Sequence, residues 1–175
     1  MTVAVNGINL TVTQAGSGGD ALVFLHFWGG SSREWSTVIE GLSSTYRCVA
    51  PDARGSGSSD APASGYRIAD LADDVQGVIA ALNLESYVLV GHSMGGKTAQ
   101  VLAARPPEGL KGLALVASSP ASPMQVDSAR DKAFEDQRDD RPGREHRIDN
   151  GDRQSGKVVP LPVKAVKRTR ASRTP

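Results

Sequence analysis

Apolar residues in the first two thirds of the chain recur with two different periods. Residues 2–5 and 8–13 are short β-rich runs joined by Asn6-Gly7, a dipeptide that tolerates the positive φ angles of tight hairpin turns. Residues 21–26 (ALVFLH) form a continuous apolar run, the pattern of a strand covered on both faces. Trp35, Val38, Ile39 and Leu42 then follow at helical spacing behind Ser31 and Ser32, either of which suits an N-cap. Residues 47–50 return to strand, and a glycine- and serine-rich loop runs on to Gly65. Ile68, Leu71, Val75, Val78, Ile79 and Leu82 mark one face of a second helix, with Asp70, Asp73 and Asp74 assigned to its exposed side near the positive end of the dipole. Residues 87–90 read as a strand, and a third helix runs from about Met94 to the stop at Arg105-Pro106-Pro107. Residues 113–117 (LALVA) read as one more buried strand. This order predicts an α/β fold: a mostly parallel sheet with right-handed crossovers and an antiparallel N-terminal hairpin, its pattern stopping after the sixth strand.

Beyond Pro123 the periodicity fails. Residues 128–138 have helix-forming composition but only Ala129, Ala133 and Phe134 for an apolar face, and residues 138–156 are charge, glycine and proline. In residues 157–166, Pro160 and Pro162 would each remove a ladder donor, which argues against an interior strand. The chain therefore divides into a core over residues 1–126 and a charged, Pro/Arg-rich tail over residues 127–175, expected to be disordered or poorly packed.

Composition sharpens that division. The whole chain, 175 residues with 39% hydrophobic and 22% charged, suits one globular domain. Its formal charge of +1 hides a split, because the first 126 residues carry seven basic against ten acidic side chains and the rest thirteen against nine. The single cysteine, Cys48, cannot form an internal disulfide, and it sits in an apolar strand as a buried thiol. With no leader pattern and no run of 18 apolar residues, a cytoplasmic protein without a membrane partner is the default expectation. Three histidines and one cysteine show no ligand spacing, so neither a metal nor a cofactor is expected. Residues 157–173 hold six basic side chains and no acid, read as a solvated tail, with no nucleic-acid partner.

The segment from Gly91 to Thr98, GHSMGGKT, fits two catalytic motifs at once. From its serine, Gly91-His92-Ser93-Met94-Gly95 is G-x-S-x-G, a nucleophile elbow in which a serine at a strained strand-to-helix turn needs small neighbours two residues away on either side. From its lysine it is G-x-x-x-x-G-K-T, a phosphate loop, which is indifferent to Ser93 but needs a magnesium-holding acid at another strand end. The one candidate acid, Asp52, precedes the motif. Two further segments favour the elbow. His26-Phe27-Trp28-Gly29-Gly30-Ser31 leaves one buried strand, and Asp52-Ala53-Arg54-Gly55-Ser56-Gly57-Ser58-Ser59-Asp60 follows the next.

Together with the elbow, these segments make residues 1 to about 126 resemble the α/β-hydrolase family, in particular its esterase, epoxide-hydrolase-like and cofactor-independent haloperoxidase-like members. The family carries strand-HG-x-x-G, D-x-R-G-x-G-x-S-D and G-x-S-x-G-G in that order. The resemblance implies a serine hydrolase acting on a small-molecule ester or related acyl substrate. Ser93 would be the nucleophile, and the backbone N–H groups of Trp28 and Met94 would form the oxyanion hole. His26, Phe27 and His92 would line the substrate pocket, with Phe27 narrowing it where the family has glycine. His26 and His92 stand inside motifs rather than at the place of the family's base. Asp52, Arg54 and Asp60 read as loop-ordering charges, and Lys97 as a solvated helix residue.

The family's acid and histidine follow the serine from later strands, and only His146 follows Ser93 here, in a charged segment with nothing apolar to hold it. Asp127 and Asp149 are no better placed. The expectation is an impaired, truncated hydrolase whose tail has the composition of a shifted reading frame. Translating the other two frames of the gene beyond about codon 130 tests that idea. The strand at 113–117 would then be an unpaired edge open to self-association. A non-catalytic small-ligand-binding remnant is the alternative, and nucleotide binding through Gly91–Thr98 the weaker one.

Overall fold

Asn6 and Gly7 both adopt positive φ, +48° and +77°, and turn β1 (Thr2–Val5) back onto β2 (Ile8–Ala15) with Val5 opposite Ile8. The computed structural model describes residues 1–105 and 107–120. Everything assigned above to later positions, the tail with Asp127, His146 and Asp149 included, lies outside the described residues. The chain separates into two units, Met1–Gln125 and Val126–Pro175, and all described residues belong to the first.

Four more strands complete the sheet: β3 (Ala21–Leu25), β4 (Arg47–Pro51), β5 (Tyr87–His92) and β6 (Leu110–Val116), in the order β1-β2-β4-β3-β5-β6. The hairpin joins antiparallel through β2 and β4, and β4, β3, β5 and β6 run parallel, as the alternation of strands and helices predicts. Leu25 pairs with Gly91, so β3 and β5 end level and the loops that leave them emerge side by side. That register brings two of the three motifs to one edge of the fold.

Alternate strand residues feed two cores. Val23, Leu25, Val49 and Leu89 join the larger cluster with Val75, Val78 and Ile79 of α2 (Ile68–Ala81) and Ala99 and Leu102 of α3 (Met94–Ala103). Phe24, Cys48 and Ala50 face the other way, onto Trp35 and Ile39, and the Phe24 and Trp35 rings lie 5.2 Å apart. Helix α2 comes close enough to the hairpin that a Cβ on Gly77 would stand 2.9 Å from Val5 Cβ.

Three expectations are corrected. The helix expected around Trp35 opens as a 3₁₀ turn, Ser32–Trp35, before α1 (Ser36–Leu42). The tighter turn shifts the phase, so Trp35 and Ile39 face the sheet while Val38 is 41% exposed. Asp74 is buried rather than exposed. Its carboxylate takes Arg54 Nε and Nη2, each at 2.6 Å, and Asn6 Nδ2 at 2.9 Å. This pairing holds the Arg54 guanidinium pKa above its ordinary value. Finally, β6 starts at Leu110 and is not buried: Leu113, Leu115 and Val116 are half-exposed, at one end of the described sheet. No helix among the described residues is long and apolar enough to cross a membrane.

Candidate active site

Ser93 sits between β5 and α3 with φ +50° and ψ −109°, a conformation that L side chains rarely adopt. Its N–H donates to Val116 O at 3.0 Å, tying the turn to the end of β6. The surrounding glycines are sterically required. A Cβ on Gly91 would lie 2.5 Å from Gly95 O and 2.6 Å from Gly96 Cα, and one on Gly95 would run into the Leu25 carbonyl. Gly96 meets the same limit against the Ser118 side chain, a need that G-x-S-x-G does not express. Because the turn packs on itself, its glycines do not open into a phosphate cradle. Thr98, the metal-holding residue of that alternative, is buried and donates its hydroxyl to Met94 O at 3.1 Å.

His26 explains how the neighbouring loop is held. Its Nε2 accepts Ala53 N–H at 3.0 Å, so its Nδ1 carries the proton and donates to Phe27 O at 2.7 Å. Both ring nitrogens are spent inside the protein, and the side chain is buried. Phe27 O also accepts Gly30 N–H at 3.1 Å. In a trans peptide the N–H points opposite to the C=O, so pinning Phe27 O aims the Trp28 N–H the other way. That N–H has no acceptor among the described residues. Met94, as the first residue of α3, likewise has no intrahelical partner for its N–H. Trp28 is 66% exposed, and Phe27, 39% exposed, tilts against the His92 ring at 5.5 Å.

The segment after β4 orders these loops, as its charges suggested. Buried Asp52 accepts Ser32 N–H at 2.7 Å and Ser58 N–H at 3.1 Å, and Gly57, at φ +54°, packs directly on its carboxylate. Asp60 accepts Asn9 N–H at 2.8 Å. Beneath the elbow a cavity of about 30 Å³, room for about one water, is lined by Leu25, His26, Leu71, Asp74, Met94 and Thr98 among others. No group of three His, Cys, Asp or Glu side chains that could hold a metal occurs among the described residues.

Sequence reasoning missed Glu34. Its Oε2 accepts Phe27 N–H at 3.1 Å and its Oε1 accepts His92 Nδ1–H at 2.8 Å, so one carboxylate touches both loops. An acid in a first helical turn reads as dipole chemistry facing solvent. Only the seven-residue reach back to Phe27 and the 58-residue reach to His92 give it meaning.

Known proteins share this architecture. A family model described as alpha/beta hydrolase fold matches residues 20–154. The chain is 37% identical over 95 residues to a soluble epoxide hydrolase of Corynebacterium sp. (strain C12), covering 54% of the chain and 33% of that protein. It is 33% identical over 118 residues to the 2-(acetamidomethylene)succinate hydrolase of Mesorhizobium japonicum (strain LMG 29417 / CECT 9101 / MAFF 303099), covering 67% and 42%. Among solved structures, the enol-lactonase from Burkholderia xenovorans LB400 superposes with a TM-score of 0.65 at 31% identity, over 68% of this chain and 47% of that one. The chain thus spans well under half the length of the curated relatives it matches. With the sheet order, the loop register and the matched residues in agreement, the chain belongs to the alpha/beta hydrolase fold family.

Proposed function

We propose that this chain carries the nucleophile and oxyanion hole of a serine hydrolase acting on ester or related acyl substrates. The observation that carries the reading is the backbone of Ser93, held at φ +50° in a turn closed by three glycines, a strain with no structural use unless it presents the side chain. Ser93 Oγ attacks the acyl carbon, and the oxyanion that develops accepts hydrogen bonds from the N–H groups of Trp28 and Met94. The alcohol then leaves with the serine proton, and water later cleaves the acyl-serine ester. Phe27 and His92, in ring contact, stand beside Ser93 as a wall for the acyl group. His26 acts from beneath, by aiming the Trp28 N–H, and has no free polar atom for a substrate.

Relatives named as epoxide hydrolases and as an enol-lactonase raise the question of which electrophile suits a serine. Attack of a hydroxyl on an epoxide carbon gives an alkyl ether, which water does not readily cleave, and the enzyme would stop after one turnover. Attack on an ester or lactone carbonyl gives an acyl ester that water can open. The chemistry of Ser93 therefore favours acyl substrates.

Turnover by the chain alone is expected to be weak. A general base must come within about 2.6–3.2 Å of the nucleophile, and the imidazole of His26 is fully committed elsewhere. The test is hydrolysis of a short acyl ester by the wild type beside Ser93→Ala. A rate that Ser93→Ala abolishes supports the reading, and equal rates remove it.

A further inference from the structure

We infer that Glu34 is the positioning residue that locks the oxyanion loop to the nucleophile elbow; this rests on the serine-hydrolase reading of Ser93. Its two carboxylate oxygens are divided between the two halves of the site. Oε2 accepts the N–H of Phe27, the residue before Trp28, at 3.1 Å, and Oε1 accepts Nδ1–H of His92, the residue before Ser93, at 2.8 Å. Each contact falls one residue upstream of a group that would act on substrate. The Glu34 side chain is only 15% exposed, so water competes weakly for its contact to His92.

The loop is shaped around this carboxylate. A Cβ on Gly30 would stand 2.9 Å from the Phe27 ring and 3.2 Å from Glu34 Oε2, so the 27–30 turn packs closely on both side chains. The Phe27 backbone is then held on both sides of its Cα. Glu34 takes its N–H, while His26 and Gly30 donate to its carbonyl. With Phe27 N–H consumed, the next donor along the loop is Trp28 N–H, the one proposed to face the oxyanion. On the other side, the contact to His92 fixes the imidazole with its proton on Nδ1 and holds it tilted against Phe27 at 5.5 Å. Without Glu34, the loop from β3 and the elbow from β5 lose the hydrogen-bonded link between them and keep only the Phe27–His92 ring contact, so the separation between their two N–H donors is free to drift.

The predicted signature falls on reaction more than on binding, because the two N–H donors lose alignment while the turn that carries Ser93, closed by its own glycines, stays. Labelling of Ser93 by an alkyl fluorophosphonate separates the two through its maximal inactivation rate and its half-saturating concentration. Glu34→Ala should lower the maximal rate roughly 10–100-fold and shift the half-saturating concentration less than about threefold. Glu34→Gln keeps one carbonyl acceptor and should fall between Glu34→Ala and the wild type. Thermal melts establish that each variant is folded; if Glu34→Ala does not fold, Glu34→Gln carries the result. Wild-type rates in both folded variants, or a loss confined to the half-saturating concentration, overturn the role of Glu34 while the nucleophile reading stands. No labelling of the wild type overturns the nucleophile reading, and the inference falls with it.

Discussion

The Asp52 carboxylate accepts the Ser32 N–H at 2.7 Å, joining the end of β4 to the start of the 3₁₀ turn that follows the loop of residues 26–31. The same group accepts Ser58 N–H at 3.1 Å, so one buried acid fixes two loops from below. Asp52→Ala leaves the buried Ser32 N–H unpaired and frees the Ser58 N–H in an exposed residue. It should cost about 3 kcal/mol of stability and slow the labelling of Ser93. Urea unfolding of both proteins checks the first, and a denaturation midpoint equal to the wild type's would contradict it.

Ser93 occupies a backbone region that glycine enters freely. Ser93→Gly should therefore stabilise the fold by about 1 kcal/mol, while Ser93→Ala, which keeps a Cβ, should leave the melting temperature close to the wild type's. Both variants should lose fluorophosphonate labelling. Differential scanning calorimetry of the pair separates relief of strain from loss of the hydroxyl.

Arg54 and Asp74 form a two-point ion pair away from water, with Asn6 on the same carboxylate and Gly65 O on Arg54 Nη1 at 2.9 Å. It joins the hairpin, the loop after β4 and helix α2. Removing one partner strands a charge, so Asp74→Ala should destabilise by about 3–5 kcal/mol. The exposed pair of Arg67 and Asp70 gives a contrast. The Arg67 side-chain and backbone hydrogen bonds hold the Asp70 carboxyl below its ordinary pKa, yet Asp70→Asn should change the urea midpoint little at neutral pH because solvent screens the pair.

What the sequence revealed follows from how local each signal was. The strands, the α2 face at Leu71, Val75, Val78 and Ile79, and the glycine needs at Gly91 and Gly95 are short-range patterns, and they appear as expected. The hydrolase family was also legible, because three motifs stand in order along one chain. Asp74 was misread because helical phase alone does not show that Arg54, 20 residues earlier, turns back to meet it. The exposure of β6 and the bridging carboxylate of Glu34 depend on tertiary neighbours in the same way. The hydrogen bonds of His26 to Phe27 O and Ala53 N–H are likewise contacts that only coordinates reveal.

Burial pushes the Cys48 thiol pKa up from its ordinary value, and the Tyr87 phenol likewise. The fold therefore favours their protonated forms. The stability this contributes is fully present below the unfolded-state pKa of the thiol, about 8.5, and is lost as pH rises through the folded value. Cys48→Ala should flatten the first part of that alkaline decline, read from urea midpoints between about pH 7.5 and 10. A decline of unchanged slope would contradict the assignment.

The central claim is that Ser93 is a presented nucleophile. Its most direct test is intact-mass and peptide mapping of the protein after prolonged exposure to an excess of an alkyl fluorophosphonate, long enough for a serine without an adjacent base to react. The account predicts one adduct, on Ser93, in the wild type and none in Ser93→Ala. No adduct on the wild type, or an adduct that persists in Ser93→Ala, would contradict it.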